Sequence, residues 1–309
     1  METDVDIAFG GGNYLVVWSD CRQDINRIYA SRVSPSGVVL DPAGVEIGPS
    51  VDTTRQNAPA LVFTGSRFAV VWLYGGLNKA ITGRFIGTNG QPIDTFRVCA
   101  LAQDAMASRL AYDGTNFFVS WVEATSPFTV KGQLVSGTGV PIGSPFLIAT
   151  TTSGKGVFGL CYDGTNYCVT WSDTVIRGQK YARNGTPVGP SFKISTASYS
   201  QGNPFVVAGT NNRYLNVWTE THTPTMNDIC GNVDVAINAI AEQGSSTTAR
   251  SRLPSVRHGS LNLYRNKGYR IYDSQGRLVE SRGRTTPGVY FLQSTRAGAI
   301  ETQKVLVVE

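Results

Sequence analysis

The five tryptophans constrain this chain more than any other feature. They fall at Trp18, Trp72, Trp121, Trp171 and Trp218, spaced 54, 49, 50 and 47 residues apart, and each closes the same phrase. The phrases are Tyr14-Leu-Val-Val-Trp18, Phe68-Ala-Val-Val-Trp72, Phe117-Phe-Val-Ser-Trp121, Tyr167-Cys-Val-Thr-Trp171 and Tyr214-Leu-Asn-Val-Trp218. An aromatic stands four residues before every tryptophan. In a strand, positions i, i+2 and i+4 share a face, so Tyr14, Val16 and Trp18 line up. Helical spacing would also join i and i+4, but the β-branched content and the flanking turns decide for strand. A fixed period of this length marks a repeat architecture.

The rest of each unit follows the same plan. Gly/Asn/Asp-rich turns precede the phrases, as in Gly10-Gly-Gly-Asn13, Asp113-Gly-Thr-Asn116 and Asp163-Gly-Thr-Asn166. These residues supply the positive φ angles of hairpin turns, so each unit opens with a hairpin. A third element follows, with Gly83, Gly132, Gly178 and Gly231 aligned and Ser31 in the first copy. A recurring glycine inside a strand points to a close approach by a neighbour. A further turn and a fourth short strand, such as Phe192-Lys-Ile194, complete the unit. Four antiparallel strands in about 40–50 residues make a propeller blade, whereas sandwich modules of about 100 residues need twice the period. The expected fold is therefore all-β: a β-propeller of about five four-stranded blades over 1–241, a linker over 242–257 and a small C-terminal β-sandwich over 258–309. The fifth blade would draw its fourth strand from Val235-Ala-Ile-Asn-Ala-Ile240. Five blades can close a ring, and sequence upstream would make it larger. The first 240 residues resemble the propeller repeats of secreted bacterial proteins.

The tail differs in charge as well as pattern. From Ala249 to Glu309, Lys and Arg outnumber Asp and Glu by 11 to 4, which accounts for the chain's net +5. The arginines are dispersed, which argues against nucleic acid as a partner. Three segments, Ile271-Tyr-Asp-Ser-Gln-Gly-Arg-Leu-Val279, Pro287-Gly-Val-Tyr-Phe291 and Lys304-Val-Leu-Val307, resemble the C-terminal sorting domain of the type IX (Por) secretion system. That resemblance implies a small β-sandwich carrying cargo across the outer membrane. It assigns the sorting signal to Tyr272, Asp273, Gly276, Arg277, Pro287, Gly288, Tyr290, Phe291 and Lys304, and makes the secretion machinery a partner. The Asn-Pro-Phe-like opening segment of that family is replaced here by Leu261-Asn-Leu-Tyr264. The first residues lack the basic and apolar regions of a signal peptide, so export through the periplasm to the cell surface implies a leader outside this chain. No apolar run reaches the length of a transmembrane helix.

The sharpest chemical signal is acidic. Two residues after each tryptophan stand Asp20, Tyr74, Glu123, Asp173 and Glu220. Four carboxylates at one blade position fit three roles: bracing the rim, gathering Ca2+ as oxygen ligands, or supplying the carboxylate pair of a glycosidase. Repetition by duplication favours bracing, because a catalytic pair should break the symmetry. Exposed aromatics near the blade edges, Tyr74 and Phe128, could stack on sugars. Cys161 and Cys168 flank the turn at Asp163 and should sit opposite each other, as a disulfide or as two buried thiols; Cys21, Cys99 and Cys230 complete an odd count. No Cys-x-x-Cys pairs suggest zinc, and only His222 and His258 offer imidazoles, read as a loop and a linker residue. The leading expectation is an exported, non-catalytic binding or adhesion scaffold with a glycan or protein ligand at the propeller face and no obligate cofactor. The alternative is a secreted glycoside hydrolase-like enzyme using Asp20, Glu123, Asp173 and Glu220.

Overall fold

The computed structural model describes residues 4–22, 25–49, 55–75, 79–101, 104–151, 158–196, 199–209, 213–223, 226–234, 255–257, 270–273, 279, 288–296 and 299–308. They contain strands and no helix. The chain divides into two compact units, Met1–Glu242 and Gln243–Glu309.

The first unit is a five-bladed β-propeller. Blade 1 comprises β1 (Val5–Gly10), β2 (Asn13–Asp20), β3 (Arg27–Val33) and β4 (Val45–Glu46). Blade 2 holds β5 (Gln56–Phe63), β6 (Phe68–Tyr74), β7 (Ala80–Ile86) and β8 (Pro92–Ala100). Blade 3 holds β9 (Ala105–Tyr112), β10 (Asn116–Glu123), β11 (Phe128–Ser136) and β12 (Pro141–Thr151). Blade 4 holds β13 (Phe158–Tyr162), β14 (Tyr167–Ser172), β15 (Ile176–Tyr181) and β16 (Pro187–Lys193). Blade 5 shows β17 (Ser200–Ala208), β18 (Tyr214–Thr223) and β19 (Met226–Asp234). Each blade is an antiparallel meander in sequence order. The fourth strand expected from Val235 to Ile240 lies outside the described residues. His222, expected in a loop, lies in β18, while His258 is outside the described residues.

Every tryptophan phrase is the second strand of its blade, and alternation explains how blades stack. Phe68, Val70 and Trp72 turn one way and pack on Leu15 and Val17 of blade 1. Phe117, Val119 and Trp121 pack in the same way on Ala69 and Val71, and Tyr167, Val169 and Trp171 pack on Phe118. The tryptophan face of each blade thus covers the opposite face of the blade before it. The first strands line the axis: β1 packs on β5, β5 on β9, β9 on β13 and β13 on β17. Among the described residues, β17 and β1 do not pack in this way.

The recurring glycines have a direct cause. Gly83, Gly132 and Gly178 stand opposite Phe96, Phe146 and Phe192 of the fourth strands. At Gly83 a Cβ would meet the Phe96 ring, with Cε2 at 2.7 Å, and Val70 O at 2.7 Å. The aromatic lies across the bare glycine, so a Cβ there would have to displace the ring.

The second unit contains β20 (Ser255–Arg257), β21 (Arg270–Asp273), β22 (Gly288–Arg296) and β23 (Ala299–Val308), forming one sheet in the order β20-β23-β22-β21. β20 begins inside the segment that the sequence reads as linker. Tyr272 pairs with Phe291, and Phe291 with Lys304. Of the sorting-signal residues, Asp273 closes β21, Gly288 and Tyr290 lie in β22, and Gly276, Arg277 and Pro287 lie outside the described residues.

Candidate functional site

Each recurring carboxylate belongs to its own blade, and two of the four brace that blade's own tryptophan. Positions two apart on a strand share a face, which brings the acid to the indole N–H. Trp18 Nε1 donates to Asp20 Oδ2 at 3.1 Å, and Trp121 Nε1 to Glu123 Oε1 at 3.3 Å. Arg22 then clamps Asp20, with Nε donating at 2.9 Å, and holds its carboxyl at about 2, well below the usual range. Glu123 is buried and pairs with Lys131 Nζ at 2.8 Å. Glu220 accepts from Gln201 Nε2. Asp173 follows β14 in a turn where its amide donates to Val175 O at 3.0 Å. Tyr74 ends β6, opposite Gln56 and Ala80, and cannot replace the acid: Trp72 Nε1 is buried without a partner. Phe128 opens β11 and is partly buried against the core between blades 3 and 4. Among the described residues no group of three or more His, Cys, Asp or Glu could hold a metal ion, so the acids do not form the shared Ca2+ cluster considered above.

Cys161 and Cys168 are directly opposite, in the register that the sequence implies. Both are free thiols in this structure, the second of the two states that the sequence left open. Both pack in the apolar layer between blades 4 and 5. Burial pushes the Cys168 thiol up to about 12 and raises Cys161 as well.

The symmetry is broken instead beside the axis. The residue opposite the one before each tryptophan is Asp6, Ala60, Arg109, Gly159 or Phe205 in blades 1 to 5. Three of these are apolar or glycine; blades 1 and 3 place an acid and a base there. Asp4 lies two residues before Asp6 on the same face. The Oδ2 atoms of Asp4 and Asp6 accept from the backbone N–H groups of Ala58 and Leu61, at 3.0 and 2.8 Å. The first of these amides lies in a bulge in β5, where Ala58 has φ +51°, and Leu61 follows it in regular register; the left-handed conformation is costly for a residue with a Cβ and found preferentially at functional sites.

The two carboxylates have unequal surroundings. Asp4 is exposed, and Asp6 is partly buried. Burial raises the Asp6 carboxyl above its ordinary value, opposed by hydrogen bonds from Leu61 and Ile7 and by the charge of Arg109. Burial pushes Arg109 down, while Asp6 and Asp4 oppose that shift. The guanidinium lies 5.7 Å from the Phe158 ring centre, donates from Nη1 to Ser108 O at 2.8 Å, and keeps a buried Nε with no partner. Sequence reading missed this trio because it followed what repeats. The available signal was Asp4-Val-Asp6 at the head of the first inner strand, with no acid at the matching place in the other copies.

No family model and no curated protein matches this chain. Solved structures do. An endo-arabinase from Bacteroides thetaiotaomicron matches with a TM-score of 0.50 at 12% identity, covering 76% of this chain and 94% of that one. The catalytic domain of the Coprinopsis cinerea GH62 alpha-L-arabinofuranosidase matches with a TM-score of 0.46 at 9% identity, covering 73% and 86%. The Aleuria aurantia lectin matches with a TM-score of 0.49 at 9% identity, covering 98% and 90%. At these identities the likeness is one of fold. It corrects the expectation of a non-catalytic scaffold: duplicated blades do not argue against catalysis, since the endo-arabinase carries the same architecture as an enzyme.

Proposed function

We propose that the propeller is a glycan-active hydrolase working at the axial end marked by Asp4, Asp6 and Arg109. One observation carries this reading: two aspartates share a face at the head of the innermost strand in unequal surroundings, and the repeat has them in one blade only. Residues two apart on an extended chain have Cα atoms about 6.5–7 Å apart. Side chains from such positions can reach the carboxyl separation of about 6.5–9.5 Å found in inverting glycosidases. Asp6, raised by burial, is the general acid that protonates the leaving glycosidic oxygen. Asp4, open to water, takes the proton of the attacking water from the opposite side. Both protons then re-equilibrate with solvent. Arg109 limits the rise of Asp6 and holds the pair's charge in place. The fold shared with an endo-arabinase agrees with this class, although fold alone does not fix function.

The test is a polysaccharide screen of the full chain with product analysis, beginning with arabinose-containing polymers. Reducing sugar should appear with wild type, fall at least 100-fold in Asp6→Asn and Asp4→Asn, and survive Asp20→Asn. Retained anomeric configuration in the product, or binding without cleavage, would overturn the assignment.

Export through the type IX route belongs to the same proposal. It is supported by the resemblance of the three tail segments, together with the side-by-side pairing of Tyr272, Phe291 and Lys304 in one sheet. Deleting 258–309 should leave the protein in the periplasm of a host with that machinery. Unchanged surface display after the deletion would refute it.

A further inference from the structure

The charge of Arg109 is left over once the hydrogen bonds at the axial end are assigned. The two acids near it are held by backbone amides. Asp4 Oδ2 accepts from Ala58 N at 3.0 Å, Asp6 Oδ2 from Leu61 N at 2.8 Å, and Asp6 Oδ1 from Ile7 N at 2.9 Å. Among the described residues Arg109 closes no ion pair with either acid. Both acids act on it through space only.

The guanidinium is engaged on one side. Nη1 donates to Ser108 O at 2.8 Å, and the buried Phe158 ring lies behind the group with its centre 5.7 Å away. The other side is unused. Nε is buried with no partner, and Nη2 has no partner among the described residues and reaches solvent. Nε–H and one Nη2–H of a guanidinium point the same way, so these two donors form a single fork. Arg32 shows the same fork filled: its Nε and Nη2 donate to Asp41 Oδ2 and Oδ1, each at 2.9 Å. A half-buried cation whose fork is empty bears a desolvation cost that a bound anion would lift.

Resting on the hydrolase reading above, we propose that the glycan cleaved here is acidic: a uronic acid residue beside the scissile bond seats its carboxylate on Nε and Nη2 of Arg109, as Asp41 sits on Arg32. A carboxylate offers two coplanar oxygens to the two parallel N–H groups. The hydroxyls of a neutral sugar would leave the charge uncompensated. Asp6 carries its proton as the general acid, so the incoming carboxylate meets one cation and one anion rather than two anions. Arg109 is then the residue that selects the substrate, while Asp4 and Asp6 carry the proton transfers.

Calorimetric titration of the full-length Asp6→Asn protein tests this, because asparagine stands in for the protonated acid and binding is read without turnover. The probes are oligogalacturonate and oligoglucuronate, each as the free acid and as its methyl ester, and a sulfated galactan oligomer. The ester keeps the shape of the sugar and loses its charge. At least one free acid should bind at least about 10-fold tighter than its ester, the factor carried by one charge-assisted hydrogen bond. Adding Arg109→Gln should erase that difference, and Arg109→Lys, which keeps the charge without the fork, should reduce it. Arg84→Gln is the control: Arg84 also has a buried Nε without a partner, but it lies on the third strand β7, so the preference should survive. Circular dichroism checks each fold, and Arg109→Lys decides the matter if Arg109→Gln does not fold. The proposal is overturned by free acids that bind no tighter than their esters, by a preference that persists in a folded Arg109→Gln protein or is lost equally in Arg84→Gln, or by tighter binding of the sulfated oligomer. Cleavage of neutral polysaccharide without any preference for free acids would refute the uronate alone, and a free-acid preference without cleavage of any polymer by wild type would refute the hydrolase.

Discussion

Replacing Gly83 by alanine tests the account of the blades most directly. The added Cβ would lie 2.7 Å from Phe96 Cε2 and 2.7 Å from Val70 O. Neither neighbour yields easily. Phe96 is 8% exposed and packs on Phe85 with ring centres 4.8 Å apart, and Val70 O belongs to the β6 backbone. Overpacking of this kind costs about 1–3 kcal/mol. Replacing a strand glycine recovers about 0.5–1 kcal/mol through the unfolded chain. The net loss should be about 1–2 kcal/mol, or about 2–8 °C in Tm for a domain of this size. Gly231 is the internal control. Its Cβ would meet Asn216 O at 3.2 Å and Val217 Cγ1 at 3.3 Å, and among the described residues no ring lies within that reach, so Gly231→Ala should lie within about 0.5 kcal/mol of wild type by the same balance of terms. Calorimetry of the full chain reads both. Equal losses at the two sites, or a Gly83→Ala protein as stable as wild type, would show that the phenylalanine does not enforce the glycine.

Other consequences are open to measurement. Because the Asp6 carboxyl is raised in the folded state, the stability that it contributes is fully present below its unfolded value of 3.8 and is lost as pH rises through the folded value; Asp6→Asn should flatten that part of the profile in denaturant titrations from pH 3 to 7, and an unchanged profile would contradict the burial of this carboxyl. Thiol titration of the native protein at pH 8 should leave Cys161 and Cys168 unmodified until denaturant is added, and rapid labelling of either would contradict their packing between blades 4 and 5. Trp18 is only half-buried, so Trp18→Phe should remove the acrylamide-quenchable emission at low protein concentration, whereas Trp72→Phe should not.

The repeat was legible because the phrase ending at each tryptophan combines strand periodicity with a fixed neighbour, and all five phrases became second strands. The aligned glycines announced a close approach; the approaching group, a phenylalanine of the fourth strand, required the register. The carboxylates after the tryptophans illustrate the limit. Their recurrence was visible, but only the side-chain geometry shows Asp20 and Glu123 holding indoles. Asp4 and Asp6 were hidden for the converse reason: a departure from a repeat stands out only when strands are assigned to the axis. The burial of individual phrases could not be read at all: Tyr14 looks the same in sequence as Tyr167, yet the first is exposed and the second buried.

The hydroxyls of two tyrosines also set apart the junctions within the propeller. Tyr167 donates to Asn116 O at 3.1 Å, and Tyr214 to Asp163, ties across the later junctions that Phe68 and Phe117, lacking a hydroxyl, cannot make in the earlier ones. In stacked repeats each interface contributes its own share of stability, so the junctions of blades 3 with 4 and 4 with 5 carry polar latches where those of blades 1 with 2 and 2 with 3 rely on packing alone.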